Sequence, residues 1–121
     1  MRSEDGSVSV VVAAAVGMAL VVTMGAADVG RALLARSRAE AVADLVALAA
    51  AQELALPSGT EPTAVAGDIA EVNGTRLVSC SCSEGSAEAV VRVAVDVRGF
   101  LLAIPDREVV GIARAVVDLP A

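Results

Sequence analysis

The 121-residue chain contains no Lys, His, Trp or Tyr, and Phe100 is its only aromatic residue. Without His it lacks the usual proton carrier near neutral pH, which excludes Ser-His and Cys-His nucleophilic catalysis. Nine Arg residues face fifteen acidic ones, and the net charge of −6 argues against a nucleic-acid binder. The sequence also lacks a Gly-rich phosphate loop and a convergent set of polar residues. We therefore predict a non-enzymatic protein with no cofactor and no small-molecule substrate.

Cysteine is scarce, with Cys80 and Cys82 forming a single C-x-C motif. A zinc site needs about four ligands, and one C-x-C without His falls short, so we predict no metal site. Two interpretations remain, a pair of small buried thiols on a strand or a disulfide. A direct bridge between the two is awkward, because alternate residues of a strand lie ~6.5–7 Å apart at Cα, near the upper limit for a disulfide. A bridge between two chains would be easier.

Apolar residues make up 56% of the chain, and they are concentrated near the N-terminus. Residues 7–27 carry no charge, and as a helix they measure roughly 31 Å, close to the ~30 Å hydrocarbon core of a bilayer. A domain this small would struggle to cover such a helix on every face. We predict an uncleaved transmembrane helix preceded by a charged leader, residues 1–6. A cleaved secretory signal peptide ending near Ala27 is the alternative.

Residues 28–56 predict an amphipathic extension of that helix. Good helix formers dominate this range, and Gly30 is its only Gly. Its large apolar residues recur with charges between them, at Val29, Leu33, Val42, Leu45, Val46 and Leu48. Joined to the span, the extension gives one helix of nearly fifty residues, and Pro57-Ser58-Gly59 ends it.

Residues 57–121 predict a short second helix and a small three-stranded antiparallel sheet, so that the fold class is α+β. The helix covers about 62–72, with one apolar stripe formed by Val65, Ile69 and Val72. Apolar residues then alternate with charged ones over 88–98, which is typical of a half-buried strand.

Two strand pairings follow from the sequence. A hairpin with Gly85-Ser86 as its turn joins residues 75–83 to 88–98 and sets Cys80 opposite Val91 and Cys82 opposite Ala89. The third strand, roughly 108–118, pairs with 88–98 around Pro105. That register makes two cross-strand ion pairs, Arg92 with Asp118 and Asp96 with Arg114, each contributing ~0.2–1 kcal/mol.

The segments EDGSVSVVVAAAVGMALVV, ADLVALAAAQ and NGTRLVSC, followed by an alternating Val strand, occur in an order that resembles the TadE/TadG-like proteins. These belong to the tight-adherence (Flp) pilus assembly system, and the chain is most similar to the short actinobacterial group called helicase/secretion neighbourhood TadE-like proteins. The resemblance implies a pilin-like fold and a minor pseudopilin: a membrane-anchored subunit whose N-terminal helix packs with other pilin helices.

The resemblance also implies processing after a Gly, and Gly6 before Ser7 is the matching position. Cleavage there would remove the leader and keep the apolar helix. Pilin-like proteins usually carry Glu at the fifth mature position, and this chain has Val11 there.

Two indications of topology conflict. Arg31, Arg36 and Arg38 follow the span and only Arg2 precedes it, which by the positive-inside rule places the C-terminal part in the cytoplasm. The family resemblance places it outside, and we predict a single-pass cell-membrane protein with an extracytoplasmic domain.

The predicted function is a structural subunit of a Tad-type pilus or secretion apparatus. Its partners would be the lipid bilayer and other pilin-like or Tad assembly proteins. The alternative is a secreted binding or effector module with residues 1–27 as a cleaved signal peptide.

Overall fold

The computed structural model describes residues 3–102 and 105–118. Two helices are followed by three strands, as predicted, and the α+β class is confirmed. The elements are α1 (Ser3–Ala55), α2 (Pro62–Val72), β1 (Arg76–Ser81), β2 (Glu88–Val97) and β3 (Arg107–Val116).

Helix α1 is continuous over 53 residues because it contains no Pro and its Ala, Leu, Arg and Glu content favours helix. Within the predicted leader, Ser3–Gly6 are helical, and residues 1–2 lie outside the described residues. At the other end, the Glu53 carboxylate accepts hydrogen bonds from Ser58 N (3.0 Å) and Ser58 Oγ (2.7 Å). These bonds lower the pKa of the Glu53 carboxyl.

Helix α2 has the predicted bounds. Its buried residues are Pro62, Ala66 and Ala70. Of the apolar stripe, Ile69 is half-buried against the core and Val72 is 85% exposed. Small side chains let the axis of α2 lie close to α1 and β1, so the Ala residues form its most buried part. The helix ends at Val72 with Asn73 as its C-cap, and Gly74 follows with a φ of +70°, a conformation that Gly adopts readily.

The sheet is an antiparallel meander in the order β1-β2-β3, with β2 in the centre. The face of β2 that was predicted to be apolar is buried along its length. It consists of Ala89, Val91, Val93, Val95 and Val97.

The β1–β2 hairpin has the predicted pairing near its turn, with Cys80 opposite Val91, and a β-bulge lies between Leu77 and Ser79. The predicted turn is wrong by one residue. Ser86 N donates to Ser83 O, so Glu84 and Gly85 are the central residues. Gly85 has a φ of +82°, which the third position of a type II turn requires.

The register predicted for β2 and β3 is also wrong. Arg92 lies opposite Ile112 instead of Asp118, and Asp96 lies opposite Glu108 instead of Arg114. The connection does not turn around Pro105. It leaves β2 after Val97, contacts α1 and enters β3 at Arg107, which moves the pairing by six residues.

Helix α1 crosses the apolar face of the sheet at very short range. A Cβ added to Gly111 of β3 would lie 2.2 Å from the carbonyl oxygen of Ala39, so only Gly fits there. The resulting core is built mainly from small side chains. Its fully buried members include Ala39, Ala43, Val46, Ala50, Ala66, Ala70, Ala89, Val91 and Val93.

Candidate membrane and helix-packing segment

The first half of α1 is apolar and exposed. We call residues 7–24 the free segment, because every residue in it is exposed to solvent in the described structure. Helix α1 meets the length and composition required to cross a membrane, and none of its most apolar window, with a mean hydropathy of 2.3, is buried. Soluble proteins do not usually expose an apolar surface of this extent, so the free segment needs a cover of lipid or other helices.

Small residues interrupt the apolar surface of the free segment. A Cβ at Gly17 would meet no other described atom within 4 Å, so the helix backbone itself is accessible there. Ala13 and Ala14 lie one turn away, and both are exposed. Small residues allow the backbones of two membrane helices to approach closely.

Asp28 marks the boundary between the free segment and the rest of α1. Its side chain is only 4% exposed, and its carboxylate accepts hydrogen bonds from Leu101 N (2.8 Å) and Leu102 N (3.0 Å). These two hydrogen bonds are the main reason that the pKa of the Asp28 carboxyl is lowered, and the Arg31 guanidinium 3.6 Å away lowers it further. Burial of the carboxylate opposes this shift. No pattern in the amino-acid sequence indicated this role of Asp28.

The second half of α1, residues 28–55, is called the packed segment because one of its faces covers the sheet. The amphipathic pattern predicted one apolar face, but the structure has two. Val42 and Val46 are buried against the sheet, whereas Leu34, Leu45 and Leu48 are 73%, 47% and 55% exposed. Small Ala residues provide most of the buried face, which leaves these large residues on the opposite side.

The exposed apolar residues of the packed segment continue the surface of the free segment. Seven residues bring a helix back to nearly the same direction, within ~20°. One row along α1 therefore runs through both segments, and we call it the outer face: Leu20, Ala27, Leu34, Ala41 and Leu48. All five residues are exposed.

The two cysteines form a disulfide with each other, Cys80 to Cys82. The expectation that such a bridge is awkward is wrong, because β1 ends at Ser81 and the chain leaves the extended conformation there. The Cα atoms consequently lie 5.4 Å apart, within the usual range for a disulfide. Cys82 is buried and Cys80 is half-buried against the core.

The face of the sheet that points away from α1 has ion pairs other than those predicted. Arg114 contacts Glu88, with Nε 2.6 Å from Oε1, because Glu88 is its diagonal neighbour in the observed register. Arg76 reaches across the small Ala94 of β2 to Glu108 of β3. Asp96, the predicted partner of Arg114, lies 3.7 Å from Arg98 instead, and no ion pair among the described residues joins Arg92 to Asp118.

The predicted processing position, Gly6 and Ser7, lies in the first turns of α1. A Cβ at Gly6 would meet no described atom within 4 Å, and Ser7 is exposed. The position is sterically accessible, and its cleavage stays a prediction. Among residues 3–102 and 105–118, no cluster of three or more Cys, His or carboxylate side chains could hold a metal ion.

A continuous helix with an apolar, exposed first half and a second half packed on a small sheet fits the class of proteins that a single helix anchors in a membrane. Residues 6–53 match the family model Tad, which describes TadE/G-like Flp pilus-assembly proteins. The predicted family resemblance is thereby confirmed, and it covers nearly all of α1. No curated protein and no solved structure matches the chain at a significant level.

Proposed function

We propose that this protein is a membrane-anchored, non-enzymatic, minor pseudopilin-like subunit of a Tad-type pilus or secretion apparatus. It acts by lateral packing of α1 against the N-terminal helices of other pilin-like subunits. The observation that carries this proposal is the outer face, an apolar row that begins in the free segment and continues past Asp28 along the packed segment. Lipid would cover only the free segment, whereas a neighbouring helix could cover the whole row.

The composition of the free segment supports helix packing over simple anchoring. Between membrane helices, association depends on close van der Waals contact, which small residues permit. Gly17 and the neighbouring Ala residues supply such a surface within the bilayer. Leu34, Leu45 and Leu48 supply an apolar surface outside it, where burial against a partner is favourable.

The disulfide supports an extracytoplasmic position for the sheet. Disulfides persist in oxidising compartments and are rare in the cytoplasm. The arginines that follow the span, which include Arg31 and Arg36, favour the opposite orientation by the positive-inside rule, and we give the disulfide precedence.

The alternative, a secreted module with residues 1–27 removed, has less support. Helix α1 runs through residues 25–27 without a break, and the next residue, Asp28, is buried and holds the β2–β3 connection. Cleavage after Ala27 would leave that contact at a fraying helix end.

Intact mass of the membrane-extracted protein tests the proposal first. A chain beginning at Met1 or at Ser7 fits an anchored subunit, and the second value also fits processing after Gly6. A soluble chain beginning at Asp28 would contradict the proposal and favour the secreted module.

Photo-crosslinking then tests lateral packing in the native membrane. A photoreactive residue at position 20 or 34, both on the outer face, should give adducts that mass spectrometry identifies as a second copy or as another protein with an N-terminal apolar helix. Position 36 is the matched control, because it is exposed on the same helix but points about 160° away from position 34. Equal adducts from positions 34 and 36, or adducts with soluble proteins only, would contradict helix packing through the outer face.

A reporter fused after Ala121 tests the orientation. We expect activity only from a reporter that functions outside the cytoplasm. An exclusively cytoplasmic signal would contradict the pseudopilin proposal.

A further inference from the structure

We propose that the segment Gly99–Leu102, called the Asp28 loop, inserts into the headgroup–acyl boundary of the bilayer that the free segment crosses. This inference rests on the proposed membrane anchor and adds a second contact with the same membrane. The loop would fix the depth of the span and the tilt of the sheet relative to the bilayer surface.

Three contacts hold the Asp28 loop at one level of α1. The Asp28 carboxylate accepts hydrogen bonds from Leu101 N and Leu102 N, and the Arg31 guanidinium donates to Gly99 O. The loop also touches the span itself, since Leu102 Cδ1 lies 3.9 Å from the place where a Cβ on Gly25 would be.

These contacts determine the depth of the loop. Gly25 lies two residues before the end of the uncharged range 7–27, and a helix rises about 1.5 Å per residue. If residues 7–27 fill the hydrocarbon core, the Asp28 loop lies within a few ångströms of its edge. It has no freedom to move far from that level while Asp28 holds its amides.

The chemistry of the loop fits this position. It contains Phe100, the only aromatic residue of the chain, next to Leu101, which is 50% exposed. Phe100 and Leu102 also line an open, mostly apolar groove of about 340 Å³ beside Gly25 and Val29 of α1. An apolar loop of this kind gains free energy from burial at the acyl boundary.

Asp28 satisfies the polar groups that would otherwise oppose insertion. A backbone N–H without a partner is costly in an apolar environment. The two loop amides that point toward α1 already donate to a carboxylate that is itself nearly fully covered. The side chain of Leu101 can therefore enter the boundary without exposing these amides to it.

Tryptophan fluorescence can measure this depth, because the chain contains no native Trp. The full chain would be prepared as three single-Trp variants: Phe100→Trp in the loop, Leu20→Trp in the free segment and Leu56→Trp just beyond the far end of α1. Leu56 is 80% exposed and lies 28 residues beyond Asp28 on the side away from the free segment. Each variant is reconstituted in phosphatidylcholine vesicles whose acyl chains carry bromine near the headgroup or near the chain end.

We expect quenching of Leu20→Trp by deep bromines and of Phe100→Trp by shallow bromines, the latter about twofold or more above Leu56→Trp. Adding Asp28→Ala to the Phe100→Trp variant should reduce its quenching, because the loop loses its attachment. Leu101→Trp, at a half-exposed position, is a second loop variant. It repeats the measurement in case the larger ring at position 100 disturbs the loop.

The control positions separate the two proposals. Quenching of Leu20→Trp without quenching at positions 100 and 101 would overturn the loop inference and leave the anchor intact. Absence of quenching at position 20 would overturn both. Protection of Phe100→Trp from aqueous iodide without any bromine quenching would also overturn the inference, in favour of a second copy of the chain covering the loop.

Discussion

The free and packed segments of α1 belong to one continuous helix but have opposite surroundings. Both contain Ala and Val, yet Val16 in the free segment is 54% exposed and Val46 in the packed segment is fully buried. The difference comes from β3, where Gly111 lets the sheet approach the backbone of Ala39. Apolar composition therefore makes burial favourable, but burial inside the chain requires a second surface that fits at short range.

Gly111→Ala should break the packed segment and have the largest effect. The new Cβ would meet the carbonyl of Ala39, a backbone atom that cannot move without displacing α1. We expect a loss of about 3 kcal/mol in the free energy of unfolding, measured by chemical denaturation in detergent. Gly30→Ala is the control, with open space around the site, and should stabilise by ~0.5–1 kcal/mol through helix propensity. Equal stability of both variants would refute the close approach.

The same substitution in each segment sharpens the comparison. Val46→Ala removes two buried methyl groups and should cost about 2 kcal/mol, including the cavity left behind. Val16→Ala should leave unfolding of the domain unchanged in detergent, because Val16 has no contact with the domain core. Equal losses would mean that the free segment folds back onto the domain in solution.

Asp28→Asn tests the boundary between the segments. Because folding lowers the pKa of the Asp28 carboxyl, its contribution to stability is complete above the unfolded pKa of about 3.9. That contribution is lost as the pH falls through the lower folded value. We expect the wild type to lose stability in acid more steeply than Asp28→Asn, in thermal unfolding followed from pH 6 to below about 3.

Glu53→Gln is the comparator for this pH dependence, because the pKa of Glu53 is lowered in the same direction by its bonds to Ser58. It should flatten the acid profile without loosening the Asp28 loop. Superimposable profiles for wild type and Asp28→Asn would show that the carboxylate does not hold the loop.

The smallest expected effect is the coupling energy of an ion pair on the sheet face that neither segment of α1 touches. A double-mutant cycle between Arg114 and Glu88 should give a coupling of ~0.2–1 kcal/mol, as is usual for exposed pairs. The cycle between Arg114 and Asp96 should give none, because the observed register separates them. The reverse result would restore the register around Pro105.

Local patterns predicted much of this fold. The uncharged run and the absence of Pro gave the extent of α1, and the two-residue period gave the buried face of β2. The position of Gly111 inside an alternating strand was also a usable signal, since an isolated strand Gly indicates close backbone approach. The role of Asp28 had no comparable signal, because its partners are backbone amides more than seventy residues away.

Two of the errors of prediction share one cause, because the β2–β3 register and the Ala face of α1 each depend on where a distant element lies. The short Cα separation in the disulfide has a local cause, the end of β1 at Ser81. Two charge pairs were consistent with the register around Pro105, but exposed pairs contribute too little to fix a register against the packing of α1.

The amino-acid sequence alone was sufficient to establish one long helix, half of it able to span a bilayer, because charge-free length and helix propensity are properties of consecutive residues. It was not sufficient to establish which face of that helix is covered. That outcome depends on two contacts across the fold: Gly111 of β3 approaches the backbone of α1, and Asp28 of α1 binds the amides of the Asp28 loop. Such contacts exist only once the folded chain has brought distant residues together.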